Sequence, residues 1–222
     1  MNKSNSLSNA FNITIVIDDP KSWMNDFVSI LIRSLSSKGH EVSFVSDPKQ
    51  IKSSTFTFFL SCQKIVSADI LSKSKHNLVV HESDLPKGKG WSPLTYQVLE
   101  GKNKIPICLF EAATEVDSGN IYFKDSIDLD GTELVDGLRK KQAHKTFELI
   151  EKFVSLYPKI NSIPQSGTSS FYPKRTPKDS QLDTNRSISE QFNLLRVVDN
   201  DRYPAYFILN GKKYLLKIYE AD

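Results

Sequence analysis

Apolar and polar positions alternate in blocks along the first eighty residues. Residues 12–18, NITIVID, form a β-branched apolar run that predicts a buried first strand. Residues 21–38 carry Trp23, Phe27, Ile30, Leu31 and Leu35 at helical spacing and run into Gly39, a helix stop. Residues 41–46 and 55–61 predict two further strands around a polar piece with Asp47-Pro48. A small helix over 67–73 then precedes a strand ending in Leu78-Val79-Val80-His81. Such alternation predicts an α/β fold, a Rossmann-like, largely parallel sheet flanked by helices.

Downstream, the pattern predicts a short helix over 94–100, a strand over 105–110 and another over 120–124, with Asp117-Ser118-Gly119 turning between them. A long helix is expected over 131–157, with Val135, Leu138, Leu149, Ile150 and Phe153 on or near one face. Residues 158–186 change character, with Pro158, Pro164, Pro173 and Pro177 among Ser, Thr and Lys, and read as a linker. A short helix over 187–195 and a hairpin, 206–209 and 212–218 around Asn210-Gly211, complete a small C-terminal module. The chain thus divides into a main domain over 1–157 and a linker with a helix-plus-hairpin module over 158–222. Residues 1–10, rich in Ser and Asn, are expected to fray.

Composition narrows the partners. With 222 residues, 39% hydrophobic and 25% charged, the chain has material for one substantial core and a small appendage. A net charge of +3, from 29 basic and 26 acidic residues, is too balanced for a dedicated nucleic-acid surface. Cys62 and Cys108 lie in apolar strand-like surroundings and read as buried free thiols. His40, His76 and His144 lack the spacing of metal ligands, so no metal is predicted. No run approaches the ~18 apolar residues of a membrane span. The polar start lacks a signal peptide's apolar centre, so no membrane insertion and a cytoplasmic location are expected.

Candidate chemistry gathers at residues 81–93, HESDLPKGKGWSP. His81 stands where a strand gives way to a loop, the edge at which open α/β sheets bind ligands. Pro86, Gly88, Gly90 and Pro93 break regular structure, while Lys87 and Lys89 suit an anionic ligand or simply face solvent. The turn after the first strand reads Asp18-Asp19-Pro20, without G-x-G-x-x-G or a P-loop, and its carboxylates would repel phosphate. That excludes a dinucleotide-fingerprint enzyme and a P-loop NTPase. Taken alone, one histidine after a strand is more often a packing residue, Asp117 closes an Asx turn on Gly119, and Trp91 packs.

Together, HESDLPKGKGWSPL, Gly101 and VDSGNIY at 116–122 resemble the folate-dependent formyltransferase family, whose core reads N-x-H-P-S-L-L-P-x-x-R-G-x-x-P and then V-D-x-G-x-I. The likeness covers about residues 78–155. Gln165-Ser166-Gly167, Tyr172-Pro173-Lys174-Arg175 and LRVVDNDRYPAYF resemble the segments that follow the core in sugar formyltransferases. The resemblance implies 10-formyltetrahydrofolate as formyl donor. His81 would polarise the formyl oxygen or stabilise its oxyanion, and Asp117 would orient His81 and help move the amine's proton. Ser83, Leu85, Pro86 and Val116 would line the pterin. Lys87, Lys89, Trp91, Arg175, Arg202 and Tyr203 would contact the acceptor.

Family members formylate an initiator tRNA, glycinamide ribotide or nucleotide-linked amino sugars. The short segment after the core and the balanced charge argue against tRNA, and the hairpin against the ribotide. The resemblance therefore implies a nucleotide-linked amino sugar, of the 4-amino-4,6-dideoxyhexose type, formylated by a homodimer for surface glycan synthesis such as O-antigen lipopolysaccharide. Three positions depart from the family: Val79 replaces its Asn, and Glu82 and Asp84 replace Pro and Leu. The Asn supplies an oxyanion donor, so the alternatives are another amine acceptor or a catalytically weakened folate or nucleotide-sugar binding protein.

Overall fold

A computed structural model describes residues 10–221; most of the expected frayed start lies outside them. In order, the elements are β1 (Asn12–Val16), α1 (Val28–Ser37), β2 (Glu41–Val45), β3 (Ser54–Phe59), α2 (Ala68–Leu71), β4 (Ser74–His81), β5 (Lys89–Gly90) and α3 (Pro93–Leu99). There follow β6 (Lys104–Glu111), β7 (Ile121–Asp128), α4 (Val135–Leu156), β8 (Phe171–Tyr172), α5 (Phe192–Val197), β9 (Ala205–Leu209) and β10 (Lys212–Leu216). Six strands form one sheet in the order β2-β1-β3-β4-β6-β7. β1 pairs in parallel with β2 and β3, and β3 with β4. β6 runs against β4, because Ala112 N donates to Asn77 O at 2.6 Å while Cys108 Sγ lies 3.7 Å from His81 O. The sheet is therefore largely parallel, as the sequence predicts.

By internal contacts the chain forms two compact units. The first comprises the described part of Met1–Val80 with Leu109–Phe123 and Thr146–Pro164. Ile13, Ile15 and Val16 of β1 and Phe56 and Phe58 of β3 are fully buried, as expected of parallel strands covered on both faces. The Phe56 ring meets Phe11, Phe153 and Tyr157 edge-on, with centroids 5.0, 5.4 and 4.9 Å away. The helix expected over 21–38 is broken. Ser22 Oγ accepts from Met24 N at 3.3 Å and opens a separate 3₁₀ turn, Trp23–Asp26, before α1 begins. α1 buries Val28, Leu31 and Leu35, leaving Ile30 on the solvent side.

The second unit comprises His81–Cys108, Lys124–Lys145 and Gln165–Asp222. Its apolar centre is Leu182, Leu195, Val198 and Ala205, covered by Phe192, Leu194, Phe207, Leu216 and Ile218. β9 and β10 form the antiparallel hairpin that Asn210-Gly211 predicts, both turn residues having positive φ, 49° and 74°. The segment read as a linker is partly built into structure. β8 pairs in parallel with β5, and Leu182 N donates to Tyr206 O at 2.7 Å. These units divide the chain otherwise than a cut after residue 157. Both cysteines are free. No helix among the described residues is long and apolar enough to cross a membrane.

Candidate active site

The loop after β4 belongs to the second unit. His81 is buried, and the chain turns at once, Ser83 N donating to His81 O at 2.9 Å. A strap from far downstream holds the next residues. Ser170 N donates to Pro86 O at 3.3 Å, Lys89 N to Ser170 O at 2.9 Å and Trp91 N to Tyr172 O at 3.0 Å. Gly88 N also donates to Ser170 Oγ at 2.9 Å. This closeness demands glycine: at Gly90, with φ +94°, a Cβ would lie 2.6 Å from Tyr172 O. His81 Nε2 lies 2.9 Å from Gly88 O. A carbonyl only accepts, so this nitrogen carries the proton. Lys124 Nζ pins the outer side, 2.6 Å from Asp84 Oδ1 and 3.3 Å from Leu85 O.

Of the expected cofactor contacts, Ser83, Leu85 and Pro86 are buried together in this loop. Ser83 Oγ has no hydrogen-bond partner. The paired cationic loop of the sequence reading is only half present. Lys87 is exposed, but Lys89 is buried with its ammonium 5.8 Å from the Phe171 ring centroid. Trp91 is half-buried, and Lys174 Nζ lies 4.2 Å from its ring. Arg175 donates to Asp179 O at 2.8 Å. Arg202 and Tyr203 stand on an exposed turn where Arg202 N donates to Asp199 Oδ1 at 2.9 Å. Sequence reasoning missed Ser170, Tyr96 and the role of Tyr172. The two tyrosine rings stack 4.6 Å apart and 2° from parallel, and Tyr172 OH donates to Glu100 Oε1 at 2.9 Å. Burial, followed by Glu100, pushes the Tyr172 phenol up to about 12, so it stays a donor.

In the first unit, Val116 and Asp117 lie in the turn between β6 and β7. Asp117 has φ +49°, a left-handed conformation that aspartate tolerates better than most residues. Gly119 leaves no room for a Cβ against the Glu111 backbone. Val79 is half-buried and packs against Val16, Ile51 and Phe59. Asn77 has one of its two amide N–H groups committed, Nδ2 donating to Leu71 O at 2.8 Å. His76 lies in β4. Glu111 Oε2 lies 3.3 Å from its Nδ1 and accepts from Tyr122 OH at 2.9 Å. Asp18 accepts from Gln63 N and Lys64 N, both at 2.8 Å, so its carboxylate occupies the N–H groups an anion would need. Burial, then Asp18, pushes the Cys62 thiol up to about 12, which suits an inert cysteine. No cluster of three or more metal-ligating side chains occurs among the described residues.

Residues 50–154 match the family described as Formyl transferase. The bifunctional polymyxin resistance protein ArnA of Wigglesworthia glossinidia brevipalpis is 30% identical over 90% of this chain and 32% of its own length. The chain spans between about a third and about half of the curated relatives it matches. Among solved structures, a methionyl-tRNA formyltransferase from Clostridium thermocellum superposes with a TM-score of 0.76 at 20% identity, covering 95% of this chain and 93% of that one. A sugar N-formyltransferase from Shewanella sp. gives 0.68 at 12% identity, with 94% and 97% covered. At such identities the structures establish a shared fold, and the family match locates it: the chain carries a formyl transferase domain over residues 50–154.

Proposed function

We propose that the protein is an N-formyltransferase that moves the formyl group of 10-formyltetrahydrofolate to the amine of a nucleotide-linked amino sugar. The sugar is of the 4-amino-4,6-dideoxyhexose type, used in a surface glycan such as O-antigen lipopolysaccharide. The observation that carries this reading is the formyl transferase match over the stretch containing both His81 and Asp117. Ser83 supports the donor, because a buried, unpartnered hydroxyl beside buried Leu85 and Pro86 fits a flat heterocycle with polar edges. In the reaction the amine nitrogen bonds to the donor's formyl carbon, the carbon's bond to the folate nitrogen breaks, and the amine's proton passes to that nitrogen.

In this reading His81, protonated during the reaction at Nδ1 as well as at the Nε2 held by Gly88 O, stabilises the negative charge developing on the formyl oxygen, and Asp117 keeps the imidazole oriented and helps the proton leave. Val116 completes the pterin's surroundings. Lys87, Lys89, Trp91, Arg175, Arg202 and Tyr203 serve the nucleotide and sugar, Lys87 being the more open lysine. Length does not separate the acceptors, since the methionyl-tRNA formyltransferase structure is covered to 93%. Charge favours the sugar: +3 gives weak phosphate-backbone attraction. The protein acts in the cytoplasm as a homodimer, for which the hairpin offers exposed Ile208, Leu209, Tyr214 and Leu215.

One observation favours a second reading, a weakened enzyme or binding protein: Val79 sits among apolar neighbours and one Asn77 amide N–H is committed. Incubating the protein and 10-formyltetrahydrofolate with a panel of nucleotide-linked amino sugars and initiator methionyl-tRNA decides between them. One sugar should gain a formyl group by mass. His81→Ala and Asp117→Asn should each lose ~10²–10⁴ in turnover while staying folded. No formylated sugar, or near wild-type turnover in either variant, would sink the proposal.

A further inference from the structure

We infer that Ser170, on the strap, is a positioning residue that acts on His81 through Gly88; as a statement about catalysis this rests on the function proposed above. Gly88 carries both ends of the connection. Its N–H donates to Ser170 Oγ at 2.9 Å, and its carbonyl accepts from His81 Nε2 at 2.9 Å. Ser170 also brackets Gly88 through its backbone, donating to Pro86 O at 3.3 Å and accepting from Lys89 N at 2.9 Å. Gly88 needs this support because its φ of +71° belongs to the left-handed region, where glycine has many alternatives. Tyr172 closes the remaining space, its ring edge 3.0 Å from where a Gly88 Cβ would stand.

The consequence is chemical. A carbonyl aimed at Nε2 keeps the proton on that nitrogen and fixes the ring plane, so any proton His81 exchanges during a cycle does so at Nδ1. If the Gly88 peptide rotates, the imidazole loses both its orientation and its tautomeric bias. Ser170 makes no bond to His81 itself. It sets the carbonyl that does, across 82 residues of sequence from Gly88.

The test is Ser170→Ala, which removes one hydroxyl and leaves the strap's backbone bonds, with Ser170→Thr restoring the hydroxyl. Nitrogen-15 spectra of imidazole-labelled protein, with His81 assigned from a His81→Gln variant, should show His81 as the Nε2–H tautomer in the wild type. A mixture is expected in Ser170→Ala and the wild-type pattern in Ser170→Thr. With formyl donor and acceptor, kcat should fall by about 3- to 10-fold in Ser170→Ala, the scale of one hydrogen bond, while both KM values stay within about two-fold. An unchanged His81 spectrum in folded Ser170→Ala, or no rescue by threonine, would overturn the inference. The spectra need no turnover, so a wild type that formylates nothing yet shows the tautomer change refutes the proposed function alone.

Discussion

Buried polar groups are treated in opposite ways in two regions of the molecule. Arg196, 1% exposed, has all three guanidinium nitrogens engaged: Nε with Glu133 O at 3.2 Å, Nη1 with Asn103 and Asn193 Oδ1 at 3.3 and 3.2 Å, Nη2 with Glu133 Oε2 at 3.0 Å. Burial alone would raise the Glu133 pKa, but Lys141 and the N–H groups of Asp130 and Gly131 outweigh it and hold the carboxyl below its usual range. Around His81 the pattern reverses. Asn77 Oδ1 and Ser83 Oγ are buried with no partner at all. Natural proteins keep few such atoms, because each forfeits its hydration, so two within seven positions call for a cause. A fully bonded charge locks elements together, whereas an unbonded oxygen such as Ser83 Oγ, two positions after the candidate catalytic histidine, is what a ligand site retains at the expense of stability.

The largest effect should come from breaking the bonded region. Arg196→Ala leaves Glu133 with Lys141 as its remaining cationic partner, removes the buried hydrogen bonds to Glu133 O, Asn103 and Asn193, and should destabilise the fold by about 3–5 kcal/mol. Arg196→Met combined with Glu133→Gln, which removes both charges, should recover much of this. Urea denaturation midpoints measure both. A loss under about 1 kcal/mol for Arg196→Ala would place this network with weak surface pairs instead.

Adding a polar group to the other region should cost less. Val79→Asn puts an amide among Val16, Ile51 and Phe59, where it should destabilise by about 1–3 kcal/mol unless it finds a partner. If a backbone N–H or another group already supports the oxyanion, kcat stays level or falls. A rise in kcat, up to the ~10² that one donor can be worth, would instead show an under-stabilised oxyanion and favour the weakened reading.

The two regions also differ in how far the sequence reveals them. The β1 and β3 runs, the Asn210-Gly211 turn and the His81 loop are legible because each is a local pattern with a local cause. The strap is not, since its bonds join backbone atoms of residues 86–91 and 170–172, and Pro, Ser and Thr around it read as linker. Lys89 misleads for the same reason: only β5–β8 pairing shows that it is buried beside Phe171. Ile30 fits a helical ridge in sequence, but the start of α1 turns it outward. Nor does a motif reveal that Ser83 Oγ lacks a partner, which depends on where every neighbour points.

Ser83→Ala gives the smallest effect on stability and the sharpest test of the contrast. The hydroxyl is desolvated without compensation, so its removal should leave the fold unchanged or more stable by about 1 kcal/mol, against the usual trend for buried substitutions. The cavity left by one oxygen is too small to reverse the sign. If the oxygen is kept for the folate, the same variant should bind a stable formyltetrahydrofolate analogue about 3- to 10-fold more weakly, one hydrogen bond's worth, by calorimetry. The two readouts must move in opposite directions, stability level or up and affinity down. A variant that is less stable by more than about 1 kcal/mol would show that Ser83 Oγ is bonded within the folded protein, in which case the partnered and unpartnered regions do not differ as described.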